Sequence, residues 1–279
     1  MNDDKPAVTR PFISFLTDFG ERATAPGVCR GVMWGICPEA RILDLSHSVT
    51  AFSIREGAFL LWSTIGYLPV GVHVAVVDPG VGTSRRPIVI RAQRGDLLVG
   101  PDNGLLRPAA ARLGGVAEAR LAANRGLWLE ETSANFHGRD IFSPVAAHLA
   151  SGVALEEVGP LLATETLVDL ELPAATIRDG RLETAVVFID RFGNCRLAGD
   201  QPDLTTAVGE MAAGQRLALD FARAHHEVVW SPTFGLVDPG QALLYRDGDT
   251  AGLALAINQG SAAEHFGLQL GDLVRIETA

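Results

Sequence analysis

Residues 72–90, V-H-V-A-V-V-D-P-G-V-G-T-S-R-R-P-I-V-I, constrain the fold more than any other stretch of the chain. Residues 72–77 form an apolar run of the kind a strand shows when both its faces are covered. The run stops at a carboxylate, Asp78, and the turn formers Pro79, Gly80 and Gly82 follow. Arg85 and Arg86 then precede a second apolar run at 88–90. The same pattern recurs elsewhere. Residues 12–16 end on Thr17-Asp18-Phe19-Gly20, residues 42–45 lead into Ser46-His47-Ser48, and residues 97–99 run into Gly100-Pro101-Asp102-Asn103-Gly104. Helical spacing lies between these runs. Val28, Gly31, Val32 and Ile36 repeat up to Pro38, and Ser53-Ile54-Arg55-Glu56 is a capping box opening a helix through Ala58, Leu61, Trp62 and Ile65. Strands alternating with helices predict a mostly parallel sheet covered by helices. Ligands of such sheets bind outside the carboxyl ends of the strands, where Asp18 and Asp78 stand. Taken alone, each reads equally well as a turn cap.

Further on, residues 127–129 are a predicted strand. Phe136-His137-Gly138-Arg139-Asp140 opens a helix over 141–150, closed by Ser151-Gly152. His137 sits at that junction, and by itself it reads as an exposed loop residue. Composition shifts near residues 171–180, and the helical pattern fades beyond. Short strands are predicted at 184–189, 217–219, 227–230, 242–245, 253–257 and 273–276. Turn signals separate them, at Asp179-Gly180, Phe192-Gly193-Asn194 and Asp247-Gly248-Asp249. The expectation is an α/β domain over 1–175 and a mostly β domain over 176–279, a barrel-like fold or a sandwich.

Charge narrows the partners. With 23 Lys and Arg against 33 Asp and Glu, the net charge is -10. A nucleic-acid binder needs a basic face, so no nucleic-acid partner is expected. Three cysteines, Cys29, Cys37 and Cys195, are odd in number and lack paired metal spacing. That pattern fits a reducing compartment with neither a disulfide framework nor a metal site. The polar amino terminus is no signal peptide, and no apolar stretch approaches the ~20 residues of a membrane span. A cytoplasmic protein without membrane association is expected.

Six pieces in order form a set: Thr17-Asp18-Phe19-Gly20, Asp44-Leu45-Ser46-His47, the run from Val77 to Arg86, Pro101-Asp102-Asn103-Gly104-Leu105-Leu106, Phe136-His137-Gly138-Arg139-Asp140 and Ile189-Asp190-Arg191-Phe192-Gly193-Asn194. The set resembles the S-adenosyl-L-methionine hydroxide adenosyltransferases, relatives of the adenosyl-forming fluorinase and chlorinase. V-D-P-G-V-G-T together with F-H-G-R-D is its specific part. The resemblance implies a homotrimer that binds its small-molecule substrate between the amino-terminal domain of one subunit and the carboxyl-terminal domain of the next. It implies cleavage of S-adenosyl-L-methionine by water to adenosine and L-methionine, with no cofactor.

The family's water-holding residues then fall on Asp78, Arg85 and His137. Asp18 matches its ribose-binding carboxylate, although a strand-end cap is the plainer reading. Phe52 stands where the halogenases carry a Trp near the sulfonium, and a core Phe is the alternative. Asp190, Phe192 and Asn194 match contacts to the methionine amino group, the adenine face and the adenine edge, with Ile257 and Gln259 beside the same base. Arg139 and Asp102 read as structural. Two other functions compete. A halide-using relative replaces the Asp78 position with an uncharged residue, lacks the His, and in the fluorinase carries an insertion before Pro-Asp-Asn-Gly that is short here. A non-catalytic sensor of S-adenosyl-L-methionine or adenosine has no need of three ionisable groups.

The chain also departs from the family at the amino-acid end of the ligand. After T-D-F-G the family's Asp and aromatic are Ala23 and Ala25, and its carboxylate-holding Asn-Ser or Ser-Arg pair is Asp249-Thr250. Weaker recognition of the methionine moiety is expected, with Glu21 or Thr250 as candidates to compensate.

Overall fold

The apolar runs of the first half become strands of one sheet in the computed structural model, which describes residues 10–221, 224–248 and 252–279. The chain divides into two units after Glu171, against an expected boundary at 175. The first unit runs β1 (Phe12–Thr17), α1 (Ala25–Ile36), β2 (Arg41–Ser46), α2 (Ile54–Ile65), β3 (Val72–Val76), β4 (Pro87–Ala92), β5 (Leu97–Pro101), α3 (Arg107–Arg112), β6 (Val116–Leu121), α4 (Ser143–Ala150) and β7 (Leu161–Leu162). The sheet order is β2-β1-β3-β5-β4-β6-β7. β2, β1, β3 and β5 are parallel neighbours, while β4 is antiparallel to both β5 and β6, and β6 to β7. β6 therefore runs with β5, and most of the sheet shares one direction, as expected.

β3 is buried at every position, yet it contains a histidine. His73 Nδ1 lies 2.7 Å from Ser14 Oγ on β1, and Nε2 lies 2.9 Å from Asp96 Oδ1 in the β4–β5 turn. Arg94 Nε completes the network by donating to Asp96 Oδ2 at 2.7 Å. Partners at both ring nitrogens let a polar side chain sit in the middle of the sheet.

Two local expectations change. Residues 127–129 are not a strand. Asn124 accepts the Gly126 N–H at 3.0 Å and folds Arg125–Leu127 into a single 3-10 turn. Three apolar residues are too few to override a side chain that competes for the backbone. The strand in this region is β6, whose Val-Ala-Glu-Ala-Arg-Leu pattern is only weakly apolar. Helix α2 begins at Ile54, but Ser53 makes no side-chain capping bond and Glu56 is buried. The capping box is therefore unformed, and the first turn relies on backbone bonds from Ile54 to Phe52 and from Gly57 to Ser53.

The second unit comprises β8 (Thr176–Arg178), β9 (Arg181–Ile189), β10 (Cys195–Asp200), α5 (Gln201–Val208), β11 (Arg216–Phe221), β12 (Ala224–Trp230), β13 (Ala242–Arg246), β14 (Gly252–Ile257), α6 (Ala262–Phe266) and β15 (Leu273–Thr278). Its strands follow the order β10-β14-β13-β12-β11-β15-β9, and β9 pairs back onto β10. The sheet closes into a seven-stranded barrel, with β8 added along β9. Closure removes the sheet edges. Alternate residues such as Leu182, Leu197, Leu217, Leu219, Leu244 and Leu255 fill the interior. All six expected strands lie within these elements. β10 and α5 are not among the predicted elements: Gly199 and Asp200 dilute the apolar content of β10, and the Asp200–Asp203 capping box that opens α5 follows directly on that strand. Among the described residues no helix is long and apolar enough to cross a membrane.

Candidate active site

The carboxyl end of β3 delivers Asp78 into a turn that brings Arg85 back against it. Arg85 Nε donates to Asp78 Oδ1 at 3.0 Å, and Nη2 donates to Oδ2, a forked ion pair. Nη2 also lies 3.0 Å from His137 Nδ1. A guanidinium only donates, so Nδ1 must accept and the neutral ring carries its proton on Nε2. Burial and the neighbouring Arg85 cation hold His137 below the usual imidazole range, outweighing the opposite pull of Asp78 and Asp140. The Asp78 and Arg85 side chains are each 6% exposed, and the guanidinium rests 5.2 Å from the Phe142 ring centroid. Arg85 Nη1 is buried and has no partner among the described residues. Two residues of one turn and a third from 52 residues beyond Arg85 thus meet in a nearly dry contact, with one strong donor unspent.

The surroundings hold this contact in place. Gly82 has φ 75°, and a Cβ there would lie 2.9 Å from the Ala134 carbonyl oxygen, so the turn presses on the loop that carries His137. Asn103 Nδ2 donates to the Val77 carbonyl at 2.8 Å. Asp102 accepts Arg86 Nε at 2.8 Å and the Val168 N–H at 2.9 Å, and Arg139 Nη2 donates to Asp140 Oδ2 at 3.0 Å. Both Asp102 and Arg139 are braces, as expected. His137 precedes a π-helical turn, Gly138–Phe142. Such bulges often re-aim side chains at functional sites.

Asp18 and Phe52 form a second cluster in the same unit. Asp18 Oδ2 accepts the Phe52 N–H at 2.9 Å. Phe52 has φ 69° and is 72% exposed in the single chain, so it is not a core residue. The Asp18 loop is pinned by the Gly20 N–H donating to the His47 carbonyl at 2.7 Å and by His47 Nδ1, 2.9 Å from Thr17 Oγ1. Glu21 Oε1 accepts the His47 N–H at 3.0 Å. The Phe19 and Phe136 rings meet edge to face at 5.7 Å, and a Cβ at Gly138 would strike Phe19 at 2.7 Å. The Asp18 loop and the His137 loop are therefore packed neighbours.

In the barrel unit, Asp190, Phe192, Asn194, Ile257 and Gln259 line one cleft of about 580 Å³. Asp190 Oδ1 accepts the Phe192 and Asn194 N–H groups at 2.8 and 3.0 Å, and Oδ2 accepts Asn194 Nδ2 at 2.9 Å. This carboxylate shapes the turn that presents its neighbours, and it orients the Asn194 amide. Gln259 has φ 59°. Three described non-glycine residues have positive φ, and two of them, Phe52 and Gln259, are site candidates. Such strain, on the order of 1 kcal/mol each, gathers at functional sites. Arg196, Phe234, Tyr245 and Asp247 also line the cleft and were not expected. No local signal flags Arg196, because residues 190–194 form a turn and strand parity does not carry across it. Thr250 lies outside the described residues, as does Asp249.

Acid, guanidinium and imidazole in contact at the strand ends of an α/β unit, with an aromatic and amide-bearing cleft on a barrel unit, define an enzyme for a small polar ligand. The chain matches the SAM hydroxide adenosyltransferase N-terminal domain over residues 13–159 and the C-terminal domain of the same name over 184–275. It belongs to the SAM hydroxide adenosyltransferase family. It is 42% identical to an (R)-S-adenosyl-L-methionine hydrolase of Salinispora tropica, over 95% of this chain and 97% of the relative. It is 35% identical to one of Thermus thermophilus, over 95% and 98%. A fluorinase of Actinoplanes sp. is 28% identical over 98% and 100%. A crystal structure of an uncharacterized conserved protein from Thermotoga maritima superposes with a TM-score of 0.89 at 33% identity, over 95% of this chain and 99% of that one.

Proposed function

We propose that the protein hydrolyses S-adenosyl-L-methionine to adenosine and L-methionine. The contact of Asp78, Arg85 and His137 carries this reading, because it suits a nucleophile that starts as water. The sulfonium is already a good leaving group. The missing part is an oxygen nucleophile aimed at the ribose C5′ from the side opposite sulfur. Water enters beside Arg85 Nη1, whose unspent donor favours the developing hydroxide. His137 cannot take a proton at Nδ1 while Arg85 donates there, so it acts as a donor through Nε2. Asp78 retains lone pairs beyond its two bonds to Arg85 and takes the water proton. The O–C5′ bond forms as the C5′–S bond breaks, and the electron pair leaves with methionine sulfur. The anion and cation neutralise one another, which a dry pocket promotes.

In this reading Asp18 accepts from the ribose hydroxyls and Phe52 lies near the sulfonium. Phe192 and Asn194 hold the adenine face and edge, Ile257 and Gln259 offer main-chain groups to the base, and Asp190 lies by the methionine ammonium. The protein acts in the cytoplasm as a homotrimer with sites between subunits, and needs no metal or cofactor. The family resemblance supports the trimer and the cofactor-free reaction, and three cysteines without a disulfide or metal pattern support a reducing compartment. A halide-using activity is disfavoured by Asp78, whose carboxylate would repel the anion.

Incubation in H₂¹⁸O is expected to give adenosine labelled at the 5′ hydroxyl, equimolar methionine, and the same rate with a chelator present. Unlabelled adenosine, or binding without turnover, would overturn hydrolysis at C5′. The pH profile offers a separate check. Because His137 is held low, its neutral form predominates at the usual imidazole value of about 6.5 and the charged form gains at lower pH. Protonation would place a cation against Arg85 and break their hydrogen bond. The acid limb of turnover should therefore lie below that of an ordinary imidazole, and His137→Ala should lose that limb along with most activity. An unchanged profile in His137→Ala would remove the imidazole from the mechanism.

A further inference from the structure

The barrel cleft contains a cation that the altered Asp249-Thr250 pair gave no reason to expect. Alternation along β10 turns Cys195 and Leu197 into the barrel core and Arg196 toward the cleft, which Asn194 also lines from the turn before the strand. Register places Arg196 opposite Ala254 of β14, and Ala254 opposite Tyr245 of β13. Across the strands a small residue thus separates a guanidinium from a phenol, both of which line the cleft. The Arg196 side chain is 14% exposed, with Nη1 3.3 Å from Asp247 Oδ2. Its guanidinium carbon lies 5.6 Å from the Phe188 ring centroid. An acid and an aromatic ring hold the fork in one orientation, which lowers the cost of presenting it to a ligand.

Charge points to the ligand group. Among the described residues lining the cleft, Asp190 and Asp247 are acidic and Arg196 is the basic one. That leaves one net negative charge, matching S-adenosyl-L-methionine with its sulfonium, ammonium and carboxylate. Two acids without the arginine would repel the carboxylate. We infer that Arg196 receives the α-carboxylate of the amino-acid end, with Asp247 as its positioning residue. This rests on the reading of S-adenosyl-L-methionine as substrate and deepens it. The carboxylate is then still read, by a strand residue rather than by residues 249 and 250, and the weakened recognition expected there is confined to the ammonium end.

The test compares S-adenosyl-L-methionine with its decarboxylated analogue in native protein, Arg196→Gln and Arg196→Lys. Loss of a charge-assisted fork to a carboxylate in Arg196→Gln should raise KM for S-adenosyl-L-methionine about 10- to 100-fold and change kcat by less than about threefold. KM for the decarboxylated analogue should move by less than about twofold, since that ligand has nothing for Arg196 to hold. Arg196→Lys should recover part of the affinity. Equal losses for both ligands would mean that Arg196 only supports the fold, and an unchanged KM for S-adenosyl-L-methionine would mean that it does not meet the ligand. Either result overturns the assignment. Should Arg196→Gln lose its melting transition, Arg196→Lys keeps the charge and carries the same comparison. If native protein forms no adenosine, the reading of the reaction fails. Calorimetric binding of the same two ligands to native protein and variants then decides the role of Arg196 separately.

Discussion

Asp78→Asn is expected to lower kcat about 10³-fold, the scale of a positioned general base, while adenosine affinity changes by less than about threefold. The substitution keeps size and shape, so the turn of residues 78–86 survives. It removes the charge that pairs with Arg85 and the group proposed to take the water proton. Adenosine makes its proposed contacts at Asp18, Phe192 and Asn194, all outside this contact. Steady-state kinetics on S-adenosyl-L-methionine alongside calorimetry with adenosine separates the two effects. Arg85→Ala is the less clean variant, because it would leave Asp78 buried and unpaired. If Asp78→Asn retained near-native kcat, the triad would not be the nucleophile-holding site. If it lost adenosine binding in parallel, Asp78 would belong to the nucleoside site.

Asp96→Ala should have the largest effect on stability, about 3–5 kcal/mol, the usual cost of breaking a buried charged network. Asp96 is fully buried and joins His73 to Arg94. Its removal leaves the His73 ring nitrogen without its partner inside the sheet. Burial would raise the Asp96 pKa, but the hydrogen bonds and charges of Arg94 and His73 outweigh it and hold the carboxyl well below the usual range. A carboxylate depressed on folding contributes stability that is fully present above its unfolded pKa of about 3.9. That contribution is lost as pH falls from there toward the folded value. Native protein should therefore lose Tm steeply below about pH 4, and Asp96→Ala should start lower and fall less steeply. Parallel Tm curves for the two would show that Asp96 is not linked to folding. The network ties β1, β3 and the β4–β5 turn, the strands whose other ends carry Asp18, Asp78 and Arg85, so rigidity there serves the site as well.

Much of this was legible in the sequence because strand ends write themselves locally. An apolar run stopped by Thr17-Asp18-Phe19-Gly20 or by Asp78-Pro79-Gly80 fixes where a strand finishes and which side chain stands at its mouth. Those residues interact within a few positions of one another, and their pattern survives in one dimension. The motif set around Asp78, His137 and Asp190 carried the family for the same reason. Where neighbours in sequence compete, local reading failed. Asn124 pulled residues 125–127 into a turn, and Ser53 left its helix uncapped.

Only the tertiary structure decided how the pieces meet. Nothing near Arg85 in sequence shows that one guanidinium nitrogen serves both Asp78 and His137, the latter 52 residues further on from Arg85, or that this contact sets the imidazole tautomer. The Phe19–Phe136 contact and the closing β9–β10 pair likewise join distant segments. Arg196 shows the limit most plainly. In sequence it is an arginine after a cysteine, and a cation of the cleft only once β10, β14 and β13 lie side by side with Ala254 between Arg196 and Tyr245. Register between strands is set by packing over the whole barrel, and that energy is not local to any residue the sequence displays.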